Sequence, residues 1–219
     1  MAEIRNRASV TPDESGITGV VLVVEDDPLV QRALGRLFRN AGHRVEVFDS
    51  LEAFRSTELP EEPACLVLDL HLPDGNGLEI VDELHAAGTA VSAVVITAHG
   101  DVPTTVRAMR KGAVELIEKP FENRQVLAAV AEGLARDART RAARGRRDAA
   151  RSLLGKLSPR EREVFDLVVE GLANKVVASR LEVAEKTVKV HRARAMKKVG
   201  ATSLADLIFL ANTAEPDEP

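Results

Sequence analysis

Short apolar runs, each closed by a polar or turn-forming residue, constrain this chain more than any other feature. The central one is Leu66-Val67-Leu68-Asp69-Leu70-His71-Leu72-Pro73-Asp74-Gly75. A run of that length, stopped by Pro and Gly, reads as a strand buried on both faces. Val20–Val24, Arg44–Phe48, Ser92–Ile96 and Val114–Ile117 read as further strands. Helical patterns separate them. Leu29, Ala33, Leu34, Leu37 and Phe38 form one apolar stripe after Pro28, and Leu51 and Phe54 follow a capping Ser50. Leu78, Val81 and Leu84 form the next, and another helix runs from about Pro103 to Lys111. Strand–helix alternation of this kind predicts an α/β fold, a doubly wound five-stranded parallel sheet covered on both faces, with right-handed crossovers.

The pattern changes character further on. From Glu122 a helix carries Val126, Leu127, Val130 and Leu134, then becomes rich in Ala and Arg through Arg151, with few large apolar residues. That stretch reads as an exposed helical linker. Ser158-Pro159-Arg160-Glu161 then gives an N-cap, a first-turn Pro and a first-turn acid. Two short helices joined by a tight turn, the second rich in Lys and Arg, form a helix-turn-helix pattern, and a further helix begins at Ser203. The expected organisation is a disordered tail (1–18), a sheet domain (19–134), a helical linker (135–156), a small all-α domain (157–212) and a second tail (213–219).

Charge supports two domains with different partners. The net charge of -4 divides into about -9 for residues 1–120 and about +5 for the remainder. The single cysteine, Cys65, excludes a disulfide framework and a Cys-rich zinc site and fits a reducing cytoplasm. No apolar stretch reaches membrane-spanning length, so no membrane partner is expected.

The predicted strand ends carry Glu25 and Asp26, Asp69, Thr97 and Lys119. In an open α/β sheet these ends converge on one rim, where ligands bind. The grouping suits phosphoryl transfer onto a carboxylate. Asp69 is the candidate nucleophile. Glu25, Asp26 and Asp69 are candidate ligands of a hard divalent ion, Mg²⁺. Lys119 offers the phosphoryl group a point charge and Thr97 a hydroxyl. Each residue also has a plainer reading: helix caps for the acids, a strand-end hydroxyl for Thr97, a solvated lysine for Lys119. The conjunction, rather than any one residue, carries the chemistry.

At about 100° per residue, Val188, Ala195 and Val199 share the inward face of the basic helix. The opposite face holds Lys186, Lys189, Val190, Ala193 and Lys197, flanked by Thr187 and Arg194. Long cations there reach phosphates and guanine edges, while Val190 and Ala193 can touch thymine methyls. A solvated basic face is the alternative. His191 reads as a packing or capping histidine, and Arg192 as a core-side residue paired with an acid.

As a set, the front motifs resemble the flavodoxin-like receiver domain of two-component response regulators, from about Val20 to Leu134. The run Leu157-Ser158-Pro159-Arg160-Glu161-Arg162-Glu163-Val164, with Gly171, Asn174-Lys175 and Glu185-Lys186-Thr187-Val188-Lys189-Val190-His191-Arg192, resembles the LuxR-type helix-turn-helix of NarL/FixJ-type regulators. The resemblance implies that a sensor histidine kinase phosphorylates Asp69. It implies that the His71 carbonyl completes the Mg²⁺ shell, that Thr97 is the switch hydroxyl and that the Lys119–Pro120 bond is cis. The protein would dimerise on phosphorylation, bind paired promoter half-sites and contact RNA polymerase, with no catalysis beyond its own phosphoryl transfer and dephosphorylation. Departures are Glu25 for the usual Asp, His71, Leu116 for the usual aromatic switch residue, Glu182 where Gly is common, and Ala184 where Ser usually caps the recognition helix. Rival readings are a haloacid-dehalogenase-type phosphatase, which wants a second Asp where His71 stands, and a phosphorylation-independent DNA-binding regulator. A sigma-factor-like domain is disfavoured by the helix after Gly200, and a nicotinamide dehydrogenase by the lack of a Gly-rich turn.

Overall fold

The computed structural model of the chain describes residues 18–98, 100 and 102–215. The expected tails lie outside these residues, apart from Thr18 and residues 213–215. The chain divides into two compact units, residues 1–141 and 142–219.

The first unit holds a five-stranded parallel sheet: β1 (Val20–Val24), β2 (Arg44–Phe48), β3 (Ala64–Asp69), β4 (Ser92–Thr97) and β5 (Glu115–Glu118), in the order β2-β1-β3-β4-β5. Order and direction agree with the doubly wound expectation. Strands β1, β3 and β4 are buried along their whole length. Their alternate residues serve two separate cores. Leu22, Leu66, Leu68 and Val95 pack with Ile80 and Val81 of α3 (Leu78–Ala86). Val21, Val23, Val67 and Ile96 pack on the other face with Leu34 and Phe38 of α1 (Pro28–Asn40) and with Val126, Val130 and Leu134 of α5 (Asn123–Leu154). Burying one such side chain contributes about 1.5–3 kcal/mol.

Polar groups set the helix starts. The Leu29 amide donates to the Asp27 carboxylate at 2.7 Å, and Pro28 occupies the first turn of α1. Ser50 caps α2 (Leu51–Arg55). The Asp74 carboxylate, in the loop after β3, accepts from the amides of Leu51 and Glu52 at 3.2 and 3.0 Å. These bonds hold its pKa below the usual carboxylate value. A two-residue ribbon, His71–Leu72 against Gly75–Asn76, closes that loop before α3, and α4 (Val102–Arg110) follows β4.

The sheet-packed part of α5 runs further than the sequence suggests. Asp137, expected in an exposed linker beginning at residue 135, is fully buried. Its carboxylate accepts from the Ala64 amide and from Arg141 Nε, both at 2.7 Å, and Arg141 also donates to the Glu61 carbonyl at 2.8 Å.

The second unit contains the end of α5 with α6 (Pro159–Val169), α7 (Asn174–Arg180), α8 (Glu185–Val199) and α9 (Leu204–Ala214). Leu154, Val164, Phe165, Val168, Val177, Val188, Val199 and Leu207 make its core. Ser158 and Glu161 form a capping box on α6, and Ser203 and Asp206 another on α9. Helix α9 continues to Ala214, two residues into the predicted C-terminal tail, carried by the Ala-rich turn after Leu210. Among the described residues, no helix is long and apolar enough to cross a membrane.

Candidate functional site

Parallel pairing brings four strand ends to one rim. Asp69 closes β3, opposite Ile96, and Thr97 closes β4, opposite Glu118. Glu25 follows β1, and Lys119 follows β5 with its amide donating to the Thr97 carbonyl at 2.7 Å. The Lys119–Pro120 bond is cis. Lys119 Nζ lies 2.6 Å from both Glu25 Oε2 and Asp69 Oδ2. The other Asp69 oxygen accepts from the His71 amide at 2.9 Å. Glu25 is 2% exposed and Asp69 7%, while Asp26 is exposed and Thr97 fully buried. Carboxylate oxygens of Glu25, Asp26 and Asp69 all lie within 4.8 Å of one another.

Burial pushes the Glu25 carboxyl up, against the pull of Lys119. Burial alone would lower Lys119, but its hydrogen bonds to Asp69 and Glu25 outweigh that and raise it, so the ammonium persists at neutral pH. The donor set fits a hard divalent cation. It consists of oxygen ligands, two of them on side chains already removed from most solvent and the third exposed.

The His71 side chain is exposed. With a histidine there, the acid that a phosphatase of the haloacid-dehalogenase type needs is missing from that position. Leu116 is half-buried on β5, packed against the α3-side core, and a Cβ on Gly100 would lie 3.4 Å from its Cδ2. Sequence reasoning passed over Gly77. A Cβ there would lie 2.3 Å from the Asp69 carbonyl oxygen, so the backbone after β3 needs a residue without one. The signal was present in Gly75-Asn76-Gly77, but only the fold shows which glycine faces Asp69.

In the second unit α8 buries Val188, Ala195 and Val199, the three residues assigned to its inward face. Lys186, Lys189, Val190, Ala193, Arg194 and Lys197 are exposed on it, and Thr187 is half-buried. No side chain caps α8: Ala184 stands at the N-cap, and the turn before it holds Glu182 at φ 54°. That left-handed conformation explains why glycine is common at this position. Arg192 donates to the Asn174 side-chain oxygen Oδ1 at 3.1 Å rather than pairing with an acid, because α7 presents its first-turn Asn there. His191 is half-buried, its Nδ1 buried without a hydrogen-bond partner, in keeping with a packing role. Lys198 was not singled out from sequence. Its ammonium lies 2.6 Å from Glu161 Oε2 and 3.2 Å from the Lys156 carbonyl, tying α8 to the start of α6. The Lys198 bond, joined by the Ser158 amide, holds the Glu161 pKa at about 2.

Comparison with known proteins gives this geometry a family. Residues 21–131 match the model of the response regulator receiver domain, and residues 155–211 that of the bacterial regulatory proteins of the luxR family. Nodulation protein W of Bradyrhizobium diazoefficiens is 43% identical over 91% of this chain and 88% of its own length. The transcriptional regulatory protein FixJ of Azorhizobium caulinodans is 40% identical over 90% and 95%. Among solved structures, the response regulator StyR is similar at 43% identity, covering 89% of this chain and 98% of that one with a TM-score of 0.80. With a receiver rim in the first unit and the basic helix α8 in the second, the chain belongs to the two-component response regulators that join a receiver to a LuxR-type DNA-binding domain and regulate transcription.

Proposed function

We propose that Asp69 is the phosphoacceptor, that a sensor histidine kinase is the donor, and that α8 carries the DNA contacts. The observation that supports this best is the Lys119 ammonium bonded to Asp69 and Glu25 within a three-carboxylate cluster. An Asp69 oxygen attacks phosphorus while the bond to the donor's imidazole nitrogen breaks and its electron pair leaves with that nitrogen. Glu25, Asp26 and Asp69, with the His71 carbonyl, are the groups that would hold Mg²⁺, whose charge offsets that of the phosphoryl oxygens. Lys119 exchanges a carboxylate partner for a phosphoryl oxygen, and the Thr97 hydroxyl is the nearby switch donor. Replacing the single carboxylate charge of Asp69 by a phosphoryl group of about two negative charges, with its three acceptor oxygens, biases the α4–β5 face, where Leu116 packs, and favours a homodimer. Paired α8 helices then read half-sites: Lys186, Lys197, Thr187 and Arg194 hold phosphates and Lys189, Val190 and Ala193 face bases. RNA polymerase at the promoter and a cytoplasmic setting complete the reading.

Intact-mass spectrometry after incubation with acetyl phosphate and Mg²⁺ tests it. One base-labile phosphoryl group is expected on the wild type and none on Asp69→Asn; unchanged labelling of that variant refutes the assignment. On the same preparations, Lys197→Ala should weaken binding to every duplex and flatten the salt slope by about one unit, while Lys189→Ala should reduce discrimination between duplexes.

A further inference from the structure

A cavity of about 240 Å³ opens in the first unit, at the end of the sheet opposite Asp69. It lies where β4 begins and the α3–β4 and α4–β5 turns meet α5. Leu84, Val91 and Ala93, all buried, form an apolar part of its wall, with the buried Ser92 among them and Thr89 and Thr140 beside it. The exposed Arg136 and His85 and the half-buried Lys111 stand around it. No carboxylate lines it. Lys111 is neutralised by Asp82, whereas the Arg136 guanidinium makes no ion pair among the described residues.

We infer that this cavity binds a small organic carboxylate, its apolar body on the apolar part of the wall and its charge on Arg136. Three features carry the inference. The volume falls just under the usual range of about 300–1,000 Å³ for small-molecule sites, which limits the occupant to a single ring or short chain. The apolar part of the wall, at Leu84, Val91 and Ala93, gives a hydrocarbon body a surface to cover that an inorganic anion would leave bare. An unpaired guanidinium with no competing acid offers a planar two-point seat for a carboxylate, and a neutral ligand would leave it unused. The site neither overlaps the rim nor depends on phosphorylation.

Titration of the full, unphosphorylated protein by amide-resolved NMR tests this with three probes: benzoate, inorganic phosphate and benzyl alcohol. Benzoate should saturate shifts at residues 84–93, 111–112 and 136–140. Phosphate and benzyl alcohol should bind at least about tenfold more weakly. Arg136→Gln should weaken benzoate at least about tenfold, and Ala90→Leu, which fills the cavity without changing charge, should do the same. Spectra of each free variant report its fold, and Arg136→Gln, at an exposed position, carries the test if the filled variant does not fold. Absence of saturable benzoate shifts, equal binding of phosphate, or indifference to Arg136→Gln overturns the inference.

Discussion

Gly77 and Glu182 occupy turns beside the carboxylate rim and the basic helix α8, and they solve opposite problems. At Gly77 the dihedrals are ordinary, and what matters is space: the Asp69 carbonyl lies where a Cβ would stand. At Glu182 there is a side chain, and what matters is conformation: a non-glycine residue sits in the left-handed region before α8. The rim is thus fixed by close contact, and its polar atoms are bonded to one another across three strands. The entry to α8 has no side-chain cap, and its turn combines a left-handed backbone at Glu182 with Leu181 and Val183 packed on the core. A rim built by contact should be intolerant of small changes, and a helix entry carrying strain should be improvable.

The largest effect is expected at the rim. Gly77→Ala should destabilise the first unit by about 1–3 kcal/mol, as overpacking does, and slow labelling of Asp69. Urea unfolding followed at first-unit signals checks it; a variant as stable as wild type would mean the loop relaxes freely and the contrast is false.

A middle-sized effect concerns pH. Glu161 is held at about 2 by Lys198 and the Ser158 amide, and Asp206 at about 2 by the amide and hydroxyl of Thr202 and by Ser203. Both folded values lie below the unfolded ones, so the stability they contribute is present above about pH 4.5 and fades as pH falls toward 2. Thermal unfolding of the second unit should weaken across that window. Glu161→Gln should flatten the profile in part, leaving the share due to Asp206. A profile unchanged by the substitution would remove Lys198–Glu161 as the tie between α8 and α6.

Smallest is Glu182→Gly. Relief of the left-handed penalty, about 1–2 kcal/mol, is largely offset by the greater freedom of glycine in the unfolded chain. A gain of no more than about 1 kcal/mol in second-unit stability is expected by calorimetry. A loss of that size would show that the Glu182 side chain contributes contacts beyond its backbone role.

Much of this architecture was legible because it is written locally. The runs Val20–Val24 and Leu66–Leu68 announce strands buried on both faces, and the acids that follow them, Glu25 and Asp69, fall on the shared rim by topology. The inward face of α8 followed from helical spacing in the same way. Illegible features depend on partners distant in sequence. Asp137 looks like one more polar residue in an Ala/Arg-rich helix until the Ala64 amide is placed beside it. Arg192 meets an amide instead of an acid because of where α7 begins. Lys198 is one of several lysines on α8, distinguished only by reaching Glu161.

The two-sided sheet also governs how the sequence can drift. Val21 and Leu22 are neighbours in the chain yet belong to different cores, whereas Leu22, Leu66 and Val95 share one. Residues of one core compete for a common volume, so their substitutions should combine non-additively, while pairs on opposite faces should add. A methylene lost at Leu66 can then be restored from Val95, on the same face, but not from Val67 beside it. Each face of the sheet accumulates its own set of compensating changes, and co-variation among relatives should fall into two groups that alternate along the strands.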